Sequence, residues 1–337
     1  MRAARLLLLI GMFAATSANA ATLVPNEHQR PPDQTFLTYP EWFLVFSPAE
    51  YATFVRSHPP SEFPFLGHIR QFWQGYDAVW NQIHGRYPFN GGYHLMIMVI
   101  GGSTTIEYAF RSVYETLIGR VAEATRTHGM TEEERLGVKY AQDYVDFIRV
   151  DPWYQFDFVT PLRHLWTDTS LVGPDMIRKW ERKYALTSEL GVKAIYGYLI
   201  KLGTQTVYDV ALPTTAVVID RLPSSPVAGF TLLKRYDDGS ALVTIPRYEG
   251  FMTASTELAK QGVQFRDIAG NRGPILLSVI EHGNAPPALR DSAFLRQPII
   301  TEPGKQRLLV TVPVDALSPA LNSLRTSGVQ VEHVFDY

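Results

Sequence analysis

The spacing of the apolar residues changes once along this chain, and that change limits what it can fold into. Between about residues 35 and 205 apolar side chains recur at intervals of three and four; beyond about 230 they fall in short runs broken by glycine and proline. The first pattern describes one face of a helix and the second describes strands. The chain therefore reads as an α+β multidomain protein: an all-α helical domain over 35–205, a linker over 206–229, and a smaller ferredoxin-like α+β domain over 230–337. At 337 residues, two domains fit the length.

Within the helical part, Leu66, Ile69, Phe72, Trp73, Tyr76, Val79, Trp80 and Ile83 lie on one helical face. A second helical stretch covers 92–127, with a bend expected at Gly101-Gly102. Thr131 and Glu134 form a capping box, which opens a helix to about Arg149. Asp151-Pro152 restarts the pattern, because Asp caps a helix and Pro fits its first position. Gly173-Pro174 precedes a long helix to about Leu202. In the β part, Phe230–Tyr236 and Ala241–Ile245 flank Asp237-Asp238-Gly239, a hairpin signal. Val263–Ile268 and Ile275–Ile280 around Gly270–Gly273 read as another. Helices at 247–261 and 315–327 complete two β-α-β units, 241–268 and 307–335. Two such units close into one ferredoxin-like sheet, with the hairpin strand at 275–280 and the stretch 285–305 as an insertion.

Residues 1–20 have the form of a secretory signal peptide. Arg2 and Arg5 precede a short apolar run, and Ala18-Asn19-Ala20 is a cleavage pattern. Residues 21–34 form a polar, Pro-rich extended leader. Export, to a periplasmic or membrane-associated location, is the expectation; retention of the first segment as an anchor is the alternative. A 20-residue interval without formal charge, Tyr87–Ile106, is interrupted by Pro88, four glycines and several hydroxyl residues. It reads as a buried helix in preference to a membrane-inserted segment.

Composition removes whole classes of function. Hydrophobic residues make up 46% and charged residues 19%, which excludes a disordered chain. With no cysteine, thiolate metal sites, disulfide scaffolds and cysteine nucleophiles are absent. A net charge of −2 leaves no basic excess for nucleic acid. The signatures of α/β-hydrolases, zincins, P-loop and Rossmann proteins and EF-hands are missing.

Three segments, Thr38-Tyr39-Pro40-Glu41-Trp42, Tyr93-His94-Leu95-Met96 through Glu107, and the ending Val331–Tyr337, resemble a family of exported or membrane-anchored bacterial proteins with no assigned activity. The resemblance covers most of the chain after the signal segment. It implies bacterial origin and export, and no cofactor or catalytic residue.

The residues themselves supply the candidates. Glu107, Arg111 and Tyr114 share one helical face and suit either an internal ion pair or the grip on a polar head group. Together with Trp73, Tyr76 and Trp80 they form a candidate ligand-binding set for a lipid or other apolar molecule. His94, Glu107, Arg111 and Asp143 are candidate catalytic groups of an enzyme with an unlisted site. His84 and His94 are weak candidates for a metal or haem iron, since no third spaced ligand accompanies them. The sequence names no cofactor. Arg178, Lys179, Trp180, Arg182 and Lys183 form a basic, aromatic helix segment of the kind that lies on a membrane surface, or else a solvated bundle face. The expected role is a non-catalytic binding or membrane-surface protein, with self-association through the C-terminal sheet as a further expectation and catalysis as the alternative.

Overall fold

The structure, a computed structural model, describes residues 23–207, 212–283 and 285–337. The expected signal segment lies outside the described residues. The chain forms two compact units. The sheet unit takes residues up to Pro40, Trp73–Met96 and Leu212–Tyr337; the helical unit takes Glu41–Phe72 and Ile97–Ala211. This division departs from the sequence-based one at 35–205 and 230–337. Helices α1 (Gln34–Phe54), α2 (Phe65–Ile83) and α3 (Gly91–Tyr114) each contribute residues to both units.

The sheet unit contains two four-stranded antiparallel sheets of the same design. The first holds β1 (Thr214–Ile219), β2 (Thr231–Arg235), β3 (Ala241–Pro246) and β4 (Phe265–Ile268) in the order β2-β3-β1-β4. The second holds β5 (Pro274–Glu281), β6 (Leu295–Pro298), β7 (Gln306–Pro313) and β8 (Gln330–Val334) in the order β6-β7-β5-β8. The expected single sheet is thus corrected to two. The β2–β3 hairpin forms as expected. The hairpin expected around Gly270–Gly273 does not, because β4 pairs with β1 and β5 pairs with β7 and β8. The supposed linker contains β1, a central strand, and the supposed insertion supplies central strand β5 and edge strand β6.

The repeat is written into the residues. Leu258…Gly262-Val263-Gln264-Phe265 and Leu324…Gly328-Val329-Gln330-Val331 end the two crossover helices and start the strands that follow. Gly262 and Gly328 have φ of +73° and +69°, the left-handed conformation that closes a helix at low steric cost. In both copies the valine N–H donates back to the leucine carbonyl, at 3.1 Å. Alternate residues of the strands, with Phe251, Leu258 and Leu321 of the helices, form one continuous apolar core. Each fully buried Leu or Phe there contributes about 1.5–3 kcal/mol.

The helical unit is built differently. A π turn at Glu115–Gly119 follows α3 and leads into α4 (Arg120–Ala124). The irregularity falls there; α3 runs unbroken through Gly101-Gly102. Helix α5 (Glu132–Ile148) has the expected capping box: Glu134 N–H donates to Thr131 Oγ1 at 3.2 Å, and Thr131 N–H donates to Glu134 Oε2 at 2.8 Å. Helix α6 (Val159–Thr167) starts at Asp157, whose carboxylate accepts from Val159 and Thr160 N–H. Asp151-Pro152 instead precedes a single 3-10 turn, Trp153–Gln155. The long helix is α7 (Met176–Val207). Apolar packing in this unit includes small separate clusters around Ala52 and Val145, around Phe63 and Phe65, and around Phe158 and Leu190.

Candidate functional site

Two antiparallel segments of the helical unit, α3 through α4 and α7, meet along a seam of charges. From one end to the other, Lys193 lies 3.2 Å from Glu107 and 2.9 Å from Glu189. Arg111 lies 3.4 Å from Glu189 and 3.7 Å from Glu107. Tyr114 donates to the Glu181 carbonyl at 3.3 Å. Arg182 forks onto Glu115 at 2.9 and 3.0 Å and also pairs with Glu181. Arg178, fully buried, donates to the Gly119 carbonyl at 3.2 Å and pairs with Glu123, Glu134 and Glu181 at 2.8–2.9 Å. The π turn serves this cluster. A Cβ at Gly119 would stand 2.2 Å from Glu115 Oε2, so only glycine leaves room for the fork.

Helix α5 extends the network. Lys179 lies 2.9 Å from Glu132 and 3.4 Å from Glu133. Lys183 lies 3.7 Å from Glu133 and donates to the Leu165 and Thr169 carbonyls. Charges taken out of water are tolerated only when paired and hydrogen-bonded. Glu189 illustrates the balance: burial would raise its carboxyl, but Arg111 and Lys193 outweigh burial and hold it at about 2.

The outer side of the same two segments is apolar. On α3–α4, Val99, Ile106, Phe110, Val113, Leu117 and Val121 are each more than half exposed, Phe110 at 74%. On α7, Ile177, Tyr184, Val192, Ile195, Tyr198 and Leu199 are equally exposed. Tyr114 and Tyr184 stack across the seam with ring centroids 6.1 Å apart, which joins the two stripes at the surface. Each stripe runs about 33 Å at 1.5 Å per residue. Two helices side by side present on the order of 700 Å² of apolar surface, above the roughly 300–600 Å² of the largest patch on an ordinary monomer.

A cavity of about 300 Å³ opens against the seam in the helical unit, lined among others by Tyr51, Arg126, Glu134, Tyr140, Arg182 and Glu189. Its charged walls are already engaged: Arg182 with Glu115 and Glu181, Glu189 with Arg111 and Lys193, and Glu134 with Arg178.

The structure divides the residues singled out from the sequence. Glu107, Arg111 and Tyr114 do share a face, and they join the seam. Trp73, Tyr76, Trp80 and His94 belong to the sheet unit instead. There Tyr76 Oη and His94 Nδ1 are 2.8 Å apart, and His94 stacks on Phe89 with centroids 4.9 Å apart. Burial lowers the His94 pKa, against the opposing pull of Asp33. His84 is exposed beside Trp80. Asp143 is half exposed and pairs with Lys139 on its own helix. Among the described residues no group of three or more His, Cys, Asp or Glu could hold a metal ion.

The basic segment of α7 is the main correction. Arg178, Lys179, Arg182 and Lys183, expected on an outer membrane-facing surface, are all buried, and only Trp180 of that set is exposed. Each buried base faces carboxylates of α4, α5, the π turn or α7, which makes the inside the favourable place for it. Sequence reasoning missed those partners, among them Glu133, Glu134 and Glu181. It also missed the stripe Val99–Val121, although its spacing of three, four and seven was there to read. Searches against family models, curated proteins and solved structures find no match to this chain. Among the described residues no helix is long and apolar enough to cross a membrane.

Proposed function

We propose that this is a non-catalytic membrane-surface protein that rests on lipid through the outer face of α3–α4 and α7. The observation that carries this reading is the reversed polarity of the α3–α4 and α7 pair, with charges in the seam and large apolar side chains outside. A helix lying in the membrane interface places an apolar face about 5–10 Å into the head-group boundary. Trp180, Tyr184 and Tyr198 supply the amphipathic rings that favour that depth. Export, as residues 1–20 suggest, would bring the chain to an envelope membrane. The sheet unit is read as two ferredoxin-like halves in tandem, since strand order 2-3-1-4 with antiparallel neighbours occurs twice. Its edge strand β2 is exposed along its length, but Lys234 and Arg235 discourage pairing with a second copy.

Vesicle flotation tests the reading. The wild-type chain floats with lipid, and Phe110→Glu combined with Ile195→Glu abolishes flotation without changing the far-ultraviolet circular dichroism. A wild-type chain that stays in the soluble fraction, or a double variant that floats equally well, overturns it.

A further inference from the structure

The cavity of about 300 Å³ against the seam is lined by two residues whose polar atoms are not fully used. Glu189 accepts from Arg111 at 3.4 Å, from Tyr140 at 3.3 Å and from Lys193 at 2.9 Å, each time through Oε1. Among the described residues nothing donates to its Oε2, and 18% of the side chain stays accessible. The Tyr51 ring lies 4.5 Å from the Arg111 guanidinium, and its hydroxyl has no hydrogen-bond partner among the described residues. Burial raises the pKa of that hydroxyl above its ordinary 10, so it keeps its proton and can donate as well as accept. Val55, Val138 and Leu186 supply apolar wall.

We infer that this cavity binds a small neutral molecule with an apolar body and one hydroxyl or N–H donor, which donates to Glu189 Oε2 beside the Tyr51 hydroxyl. Each part of that description follows from the walls. Ligand pockets combine mostly apolar lining with a few placed polar groups, and an apolar cavity of about 150 Å³ already takes up benzene, so a ring fits here. The donor is required by the carboxylate: Glu189, held at about 2, stays ionised, and hydrogen bonds to an ionised acceptor are the strong ones. The absence of charge follows from its neighbours. Arg111 and Lys193 already flank Glu189 and repel a further cation, while an anion would meet the carboxylate itself. The cavity lining as a whole holds three arginines and three glutamates, which leaves no excess of either sign among them. This inference is independent of the membrane-surface reading.

The test is titration calorimetry of the full chain with four single-ring probes: phenol, toluene, benzylammonium and benzoate. Phenol is expected to bind one to one. Toluene, of the same size but without the donor, binds roughly tenfold more weakly, the loss of one hydrogen bond to a charged acceptor. Neither ion binds measurably. Val138→Phe fills the cavity and abolishes phenol binding, with the circular dichroism of the wild type. Tyr51→Phe adds no atom to the interior and lowers phenol affinity roughly fivefold, so the site stays testable if the larger side chain prevents folding. Absence of phenol binding, or binding that survives both substitutions undiminished, overturns the site. Toluene binding as tightly as phenol, or either ion binding more tightly, overturns the ligand class. Vesicle flotation is a separate measurement, so failure here leaves the membrane-surface reading standing.

Discussion

The two units solve the burial problem in opposite ways. In the sheet unit apolar side chains from both sheets and their crossover helices make one large core. In the helical unit the centre of the α3–α7 seam is filled by Arg178, Arg182, Glu115 and Glu181, and the apolar side chains that could have filled it point outward. An apolar core needs only shape, whereas a buried ion network needs every partner present at once. A reversed pair of helical segments therefore stands on its ion pairs internally, and its outer face gains from contact with something less polar than water.

That contrast yields an ordered set of expectations. The largest effect belongs to the seam. Arg178→Ala takes one base from each of Glu123, Glu134 and Glu181 and leaves them to Arg126 and Arg182, and removing one member of a buried pair costs about 3–5 kcal/mol. Hydrogen exchange should report the loss in α5 and α7 and leave β5 and β7 protected. Phe251→Ala, in the sheet core, costs a similar 3–5 kcal/mol by cavity formation but with the opposite localisation. Equal loosening of both units by either substitution would erase the distinction.

Acid separates the units next. In the sheet unit burial pushes the His333 ring down to about 3, so it stays neutral when folded and gains a proton on unfolding. The unfolded state binds more protons over this range, so His333's contribution is complete above about 6.5 and is lost as pH falls from there towards 3. The slope is at most about 1.4 kcal/mol per pH unit for one proton. Glu189, held at about 2 when folded against an ordinary 4.5, contributes above 4.5 and loses that contribution only between 4.5 and 2. Urea titrations between pH 6.5 and 4.5 should therefore weaken the sheet unit first, and His333→Phe should flatten that dependence. The smallest stability effect is at the surface: Phe110→Ser changes the unfolding midpoint by no more than about 0.5 kcal/mol, unlike any core phenylalanine, while lowering vesicle affinity.

Much of this architecture could be read before any coordinates. The apolar spacing located α2, the Thr131–Glu134 box opened α5, and Asp237-Asp238-Gly239 turned β2 into β3. What failed was pairing between distant strands. Gly270–Gly273 has the residues of a tight turn, yet β4 and β5 each find better partners elsewhere, and that competition is invisible locally. Strand β1, the short run Thr214–Ile219, lies among prolines that signal connection. The site failed for a related reason. Periodicity reveals that Ile106, Phe110, Val113 and Leu117 share a face, as do Glu107 and Arg111, but it does not say which side faces inward. Hydrophobic burial is the ordinary choice, and the seam reverses it because acids on α3, the π turn and α5 meet the bases of α7.

The absence of cysteine permits a direct measurement of where the outer face sits. A nitroxide attached through Phe110→Cys, compared with one attached through Asp143→Cys, reports depth by its accessibility to oxygen against a water-soluble relaxant. With lipid vesicles present, the label at 110 should become accessible to oxygen and shielded from the aqueous relaxant, while the label at 143 remains in water. A label at 110 that stays as water-accessible on vesicles as in buffer would contradict the account.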